Sequence, residues 1–151
     1  MKSVKKISNL KNVRYSDYEN DLRSDGMLRD VWVFNASLSD WQTVLNVLTS
    51  KYRFDYTEDR EKVIVVPSAK DIHHRKKDKG AMISFKIGTM VANSFFFCED
   101  EIDFDFAHTD LSSETFPDLL QFMSLICQSI NKEVVLTHEG NRNEVIFTIV
   151  P

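Results

Sequence analysis

The stretch from Val31 to Pro67, VWVFNASLSDWQTVLNVLTSKYRFDYTEDREKVIVVP, decides the fold. Its first residues belong to an expected strand over 28–36, rich in the β-branched and aromatic side chains that suit a pleated surface. Trp41, Val44, Leu45 and Leu48 follow at the i, i+3, i+4, i+7 spacing of one helical face, and Ser39 with Gln42 three residues on predicts the helix start as a capping box. Tyr52, Phe54 and Tyr56 then alternate with Arg53 and Asp55, the period of a strand with one wet face. Thr57-Glu58-Asp59-Arg60 reads as a turn. Val63 to Val66 reads as a further strand, which Pro67 ends because it has no N–H for the ladder. The order is strand, helix, strand, strand.

The same order recurs from Ile102 to Pro151. Ile102 to Ala107 answers to the first strand, and Phe116, Leu119, Leu120 and Met123 repeat the helical stripe. Glu144 to Pro151, like Glu61 to Pro67, runs from Glu through an apolar tract to Pro. The sequence therefore reads as two tandem βαββ units, about 28–67 and 102–151, in one domain over 28–151. A basic loop and a hairpin join them, and a polar arm over 1–27 precedes them. Crossovers of this kind are right-handed, and a pseudo-twofold axis relating the two units would place both helices on one face of the sheet. The expected fold is α+β: a two-layer sandwich with about seven mostly antiparallel strands backed by two helices.

Composition agrees with one domain, since 151 residues at 42% hydrophobic content are enough to bury a single core. Four Gly and three Pro argue against long linkers, and a net charge of −4 argues against a general nucleic-acid binder. No apolar run approaches membrane-spanning length, and the basic N-terminus is not followed by the apolar core of a signal peptide, so a cytoplasmic protein is expected. Cys98 and Cys127 sit inside apolar runs and read as packed thiols.

The arm carries Lys2, Lys5, Lys6, Lys11 and Arg14 without an acid, then Asp17, Glu19, Asp21 and Asp25, as a solvated leader would. Within it Tyr15, Tyr18 and Leu22 are spaced to pack as a short helix or turn on the domain edge. Ser68 to Gly80 is the most polar stretch and reads as an exposed loop. His73, His74, Arg75, Lys76 and Lys77 are its candidate anion contacts, while two adjacent His with no Cys nearby do not make a metal motif. Ala81 to Cys98 reads as a hairpin with strands 82–87 and 94–98 around Gly88-Thr89. Phe95, Phe96 and Phe97 break its alternation and are candidates for self-association.

Glu99, Asp100, Glu101, Asp103 and Asp105 put five carboxylates into seven residues. Asp103 and Asp105 lie two apart on a strand, so they project from one face while Ile102, Phe104 and Phe106 take the other. Paired carboxylates can hold a divalent cation, act as acid and base on a glycoside, or meet a basic partner. No Gly-centred calcium loop is present. His108 with Asp110, and His138 with Glu139, are loop pairs of His and acid. Thr115, Pro117 and Asp118 mark the start of the second helix, whose stripe continues through Ile126, Cys127 and Ile130. Val134 to Leu136 and Val145 to Val150 close the sheet around a turn-rich loop at 138–143.

No G-x-S-x-G, P-loop, G-x-G-x-x-G, H-E-x-x-H or paired C-x-x-C occurs. The expected function is a small non-enzymatic protein-binding domain without a cofactor. Its acidic face, comprising Glu99, Asp100, Glu101, Asp103 and Asp105 with Arg53 and Asp55, meets a basic partner, as an immunity protein or antitoxin meets its toxin. The alternatives are a metal-assisted hydrolase using Asp103 and Asp105, and a module that self-associates, as a homodimer, through the phenylalanine run.

Overall fold

The computed structural model describes residues 5–23 and 25–151. Nine strands are formed: β1 (Lys6–Ile7), β2 (Arg29–Val33), β3 (Arg53–Glu58), β4 (Glu61–Lys62), β5 (Ala81–Ile87), β6 (Met90–Ser94), β7 (Ile102–Phe106), β8 (Val134–His138) and β9 (Val145–Ile149). They make one open sheet in the order β1-β9-β8-β2-β7-β6-β5-β3-β4. Among the described residues only the β1–β9 pair is parallel. Four helices pack against it: α1 (Glu19–Leu22), α2 (Leu38–Lys51), α3 (Ala69–Arg75) and α4 (Phe116–Ile130).

The expected α+β sandwich is present, with nine strands where about seven were expected and four helices where two were. Strand alternation builds its two faces. On β2, Arg29, Val31 and Val33 are buried while Asp30 and Trp32 point to the other side; on β7, Ile102, Phe104 and Phe106 are buried opposite Asp103 and Asp105. Phe104 and Phe106 meet Phe122 of α4 edge-on at 5.2 and 5.5 Å. Each such buried ring contributes about 2–3 kcal/mol from the apolar area it removes from water. Cys127 is buried and free, and Cys98 is free and half-buried.

Strand, helix, strand, strand occurs twice, as β2-α2-β3-β4 and β7-α4-β8-β9. The two units are placed differently. β7 and β8 flank β2, whereas β7, β6 and β5 separate β2 from β3. The apolar run Val63 to Val66 is not a strand: β4 stops at Lys62, and Ile64 and Val65 are 94% and 79% exposed. β4 is the last strand of the sheet, so nothing lies beyond it to cover such a run, and β-propensity alone does not hold a strand there.

Three further local readings are corrected. Ser37, not Ser39, caps α2: its hydroxyl accepts from the Asp40 N–H at 3.1 Å and the Asp40 carboxylate accepts from the Ser37 N–H at 3.1 Å. Residues 68–80 are not all loop, because Ser68 caps α3 and buries Ala69, Ile72 and His73. Those three have the i, i+3, i+4 spacing of a helical face, hidden in the sequence by the surrounding charge. The hairpin turns at Gly88, with φ of +61°, so its second strand starts at Met90 and leaves Phe95 to Phe97 outside.

The N-terminal segment is integrated into the domain. Lys6 and Ile7 pair with Thr148 and Ile149, and Tyr18 and Leu22 are buried. Tyr18 packs at 4.8 Å from Phe147. Arg29, fully buried, holds this segment by donating to the carbonyls of Asp21 (2.8 Å) and Arg23 (3.2 Å) and to both carboxylate oxygens of Asp25 (3.2 Å).

Candidate functional site: the acidic open face

The sheet face opposite the helices carries the carboxylates. Antiparallel pairing of β2 with β7 sets Asp30 directly opposite Asp105, and Trp32 opposite Asp103. Like charges opposite each other across strands are destabilising, and partial burial of the carboxylates makes this set more so. Burial, reinforced by the Asp30, Asp105 and Glu101 charges, pushes Asp103 up to about 6, with Lys76 pulling the other way. Burial likewise raises Asp30 and Asp105, although the Gly140 N–H donates to Asp30 at 2.7 Å and the Asn93 amide to Asp105 at 3.4 Å. None of the three has an ion-pair partner among the described residues.

The loop between β8 and β9 folds onto one side of this patch. Arg142 makes a two-pronged pair with the Glu101 carboxylate, one arm at 2.7 Å. Its guanidinium also lies 5.5 Å from the centres of Trp32 and Phe34, which stack on each other at 5.6 Å. The open face is thus capped at one edge, where Arg142 pairs with Glu101. Beyond that cap Asp103 and Asp105 remain half-buried and accessible.

No family model matches this chain, and no curated protein matches it. Similarity is found to a solved structure. It is a chain of the crystal structure of the toxic C-terminal tip of CdiA from Pseudomonas aeruginosa in complex with immune protein, at 13% identity and a TM-score of 0.45, covering 81% of this chain and 94% of that one.

The other candidate residues are dispersed. Glu99 and Asp100 are exposed in the connection between β6 and β7. Arg53 and Asp55 do share the open face, but Asp55 lies three strands from Asp105, about 14 Å away at ordinary strand spacing, and pairs with Lys62 at 2.9 Å. Of the basic candidates, His73 is buried, Arg75 pairs with Glu58 at 2.8 Å, and Lys76 donates to the Phe96 and Phe97 carbonyls at 2.9 Å each. Of these only His74 and Lys77 stay exposed and without a polar partner among the described residues. His138 faces Asp21 at 3.1 Å, not Glu139. The side chain of His108 lies outside the described residues. Among those described, no group of three or more His, Cys, Asp or Glu is placed to hold a metal ion, and no helix is long and apolar enough to cross a membrane.

Asp30, Gly140 and Arg142 belong to the site and were not singled out from the sequence. Asp30 has the same strand parity as Trp32, which marks it as facing the open side. Its neighbour Asp105 is 75 residues away and becomes visible only once β2 and β7 are paired.

Proposed function

We propose that this chain is a small, non-enzymatic, cytosolic protein-binding domain whose acidic face engages a basic protein, of the toxin-immunity or antitoxin kind. The observation that carries this reading is the cluster of Asp30, Asp103 and Asp105, held side by side with raised pKa values and without a compensating ion pair among the described residues. Such a cluster costs stability in the free chain. Lys or Arg side chains of a partner would relieve the repulsion on docking, which gives the binding a charge-dependent driving force. The flat, half-buried setting favours a protein surface over a small ligand, which needs a deeper cleft.

The test starts with capture from source-cell lysate, including the products of neighbouring genes, with low- and high-salt washes, and then measures the affinity of the captured protein by calorimetry. The reading expects a basic protein released by salt, and at least a tenfold loss of affinity in Asp103→Asn/Asp105→Asn. It also expects weaker binding at pH 5 than at pH 7.5, because protonation of Asp103 removes the charge. An affinity unchanged by the double substitution would overturn it.

A further inference from the structure

A second surface lies beside the acidic patch. Phe96 has φ of +55°, a left-handed conformation that is costly for an aromatic residue. The reversal drives its ring into the core, 5.2 Å from Trp41 and 5.8 Å from His73, and leaves the flanking Phe95 and Phe97 outside, stacked on each other at 5.7 Å. Lys76 fixes the conformation by donating to the Phe96 and Phe97 carbonyls. Phe95 and Phe97 are 39% and 68% exposed along a groove of about 780 Å³ that Met82, Arg60 and Lys77 also line. The fold thus spends backbone strain and a lysine to present two aromatic rings to solvent.

Charge is distributed unequally on either side of these rings. Arg60 and Lys77, exposed and without ion pairs among the described residues, lie on the side of β3 and β5, beside a single groove-lining acid, Asp59, whose carboxylate accepts from the Gly80 N–H at 2.8 Å. Glu99 and Asp100, also exposed and unpaired there, lie on the side of β7 and β2, where the Asp100 carbonyl accepts from the Ala36 N–H at 2.8 Å. The strand order β3-β5-β6-β7-β2 keeps the cationic and anionic flanks on opposite sides of the phenylalanines. An apolar centre with opposite charges on its two flanks is self-complementary. A twofold axis through the centre sets the cations of one copy against the acids of the other.

We propose that the Phe95–Phe97 groove is the interface of a twofold homodimer, with Phe97 of each copy seated in the groove of the other and Arg60 and Lys77 facing the other copy's Glu99 and Asp100. This interface uses none of the Asp30, Asp103 and Asp105 carboxylates, so substitutions in the two can be read separately.

Sedimentation velocity across a wide concentration series tests it, with thermal melts confirming that each variant folds. The expected result is a monomer that becomes a dimer as concentration rises, with a dimer dissociation constant at least tenfold higher in Phe97→Ser than in wild type. Lys77→Glu alone weakens the dimer, and Lys77→Glu combined with Glu99→Lys restores it. A chain that stays monomeric throughout, association indifferent to Phe97→Ser, or a charge swap without restoration would each overturn the proposal.

Discussion

Asp30 and Asp105 stand directly opposite each other on β2 and β7, two carboxylates where an antiparallel pair ordinarily brings unlike charges or apolar groups together. Both are raised by burial, and Asp105 is among the charges that raise Asp30 further. Their repulsion is measurable as a coupling. Asp30→Asn and Asp105→Asn should each stabilise the chain at pH 7.5 by about 0.5–1 kcal/mol, and the double variant by less than the sum. Urea denaturation of the four-member cycle reads this directly. Additive effects would mean that the two carboxylates do not sense each other.

Asp103 and His73 give stability opposite pH dependences. Asp103 rises from an ordinary 3.8 to about 6 on folding, so between those values the folded chain holds more proton and stability falls as pH rises. Burial lowers His73 from 6.5 to about 4, helped by Lys76 and opposed by Glu99, so there the unfolded chain holds more proton and stability falls as pH drops. Asp103→Asn should therefore gain on wild type as pH is raised from 4 to 7, and His73→Phe should gain as pH is lowered from 7 to 4, each by up to roughly 3 kcal/mol. The His73 replacement also removes a buried Nε2 that has no hydrogen-bond partner among the described residues. Denaturation midpoints at pH 4.5 and 7.5 decide the point, and shifts of the same sign in both variants would contradict it.

Arg29 ties the N-terminal segment to the sheet. Its guanidinium is fully buried and satisfies carbonyls from Asp21 to Leu28. Arg29→Met preserves the bulk and strands those acceptors, so a loss of about 2–4 kcal/mol is expected. Proteolysis between residues 19 and 28 should accelerate more than elsewhere in the chain. Uniform acceleration along the chain would show that the segment is held by Tyr18 and Leu22 instead.

Several elements were legible because their cause is local. The α2 stripe of Trp41, Val44, Leu45 and Leu48 and the α4 stripe through Cys127 are all buried, since a helical period needs no distant partner to be read. The alternation of Asp103 and Asp105 with Ile102, Phe104 and Phe106 placed the carboxylates on one face for the same reason. Where the reading went astray, a neighbour distant in sequence decided the outcome. Val63 to Val66 has the composition of a strand but follows the edge strand β4, with no further strand beyond it to cover the run. Ala69, Ile72 and His73 have a helical period and found a core to enter.

By itself the sequence determined the α+β class, the faces of its main helices and strands, and the presence of an acidic strand. These follow from side-chain periodicity, which chain geometry imposes within a few residues. Only the tertiary structure decided the strand order, and with it the meeting of Asp30 with Asp105, the capping of Glu101 by Arg142, and the exposure of Phe95 and Phe97 around a buried Phe96. Those depend on which strands hydrogen-bond across the sheet and on which surfaces remain uncovered, quantities set by the whole chain at once and by no single stretch of it.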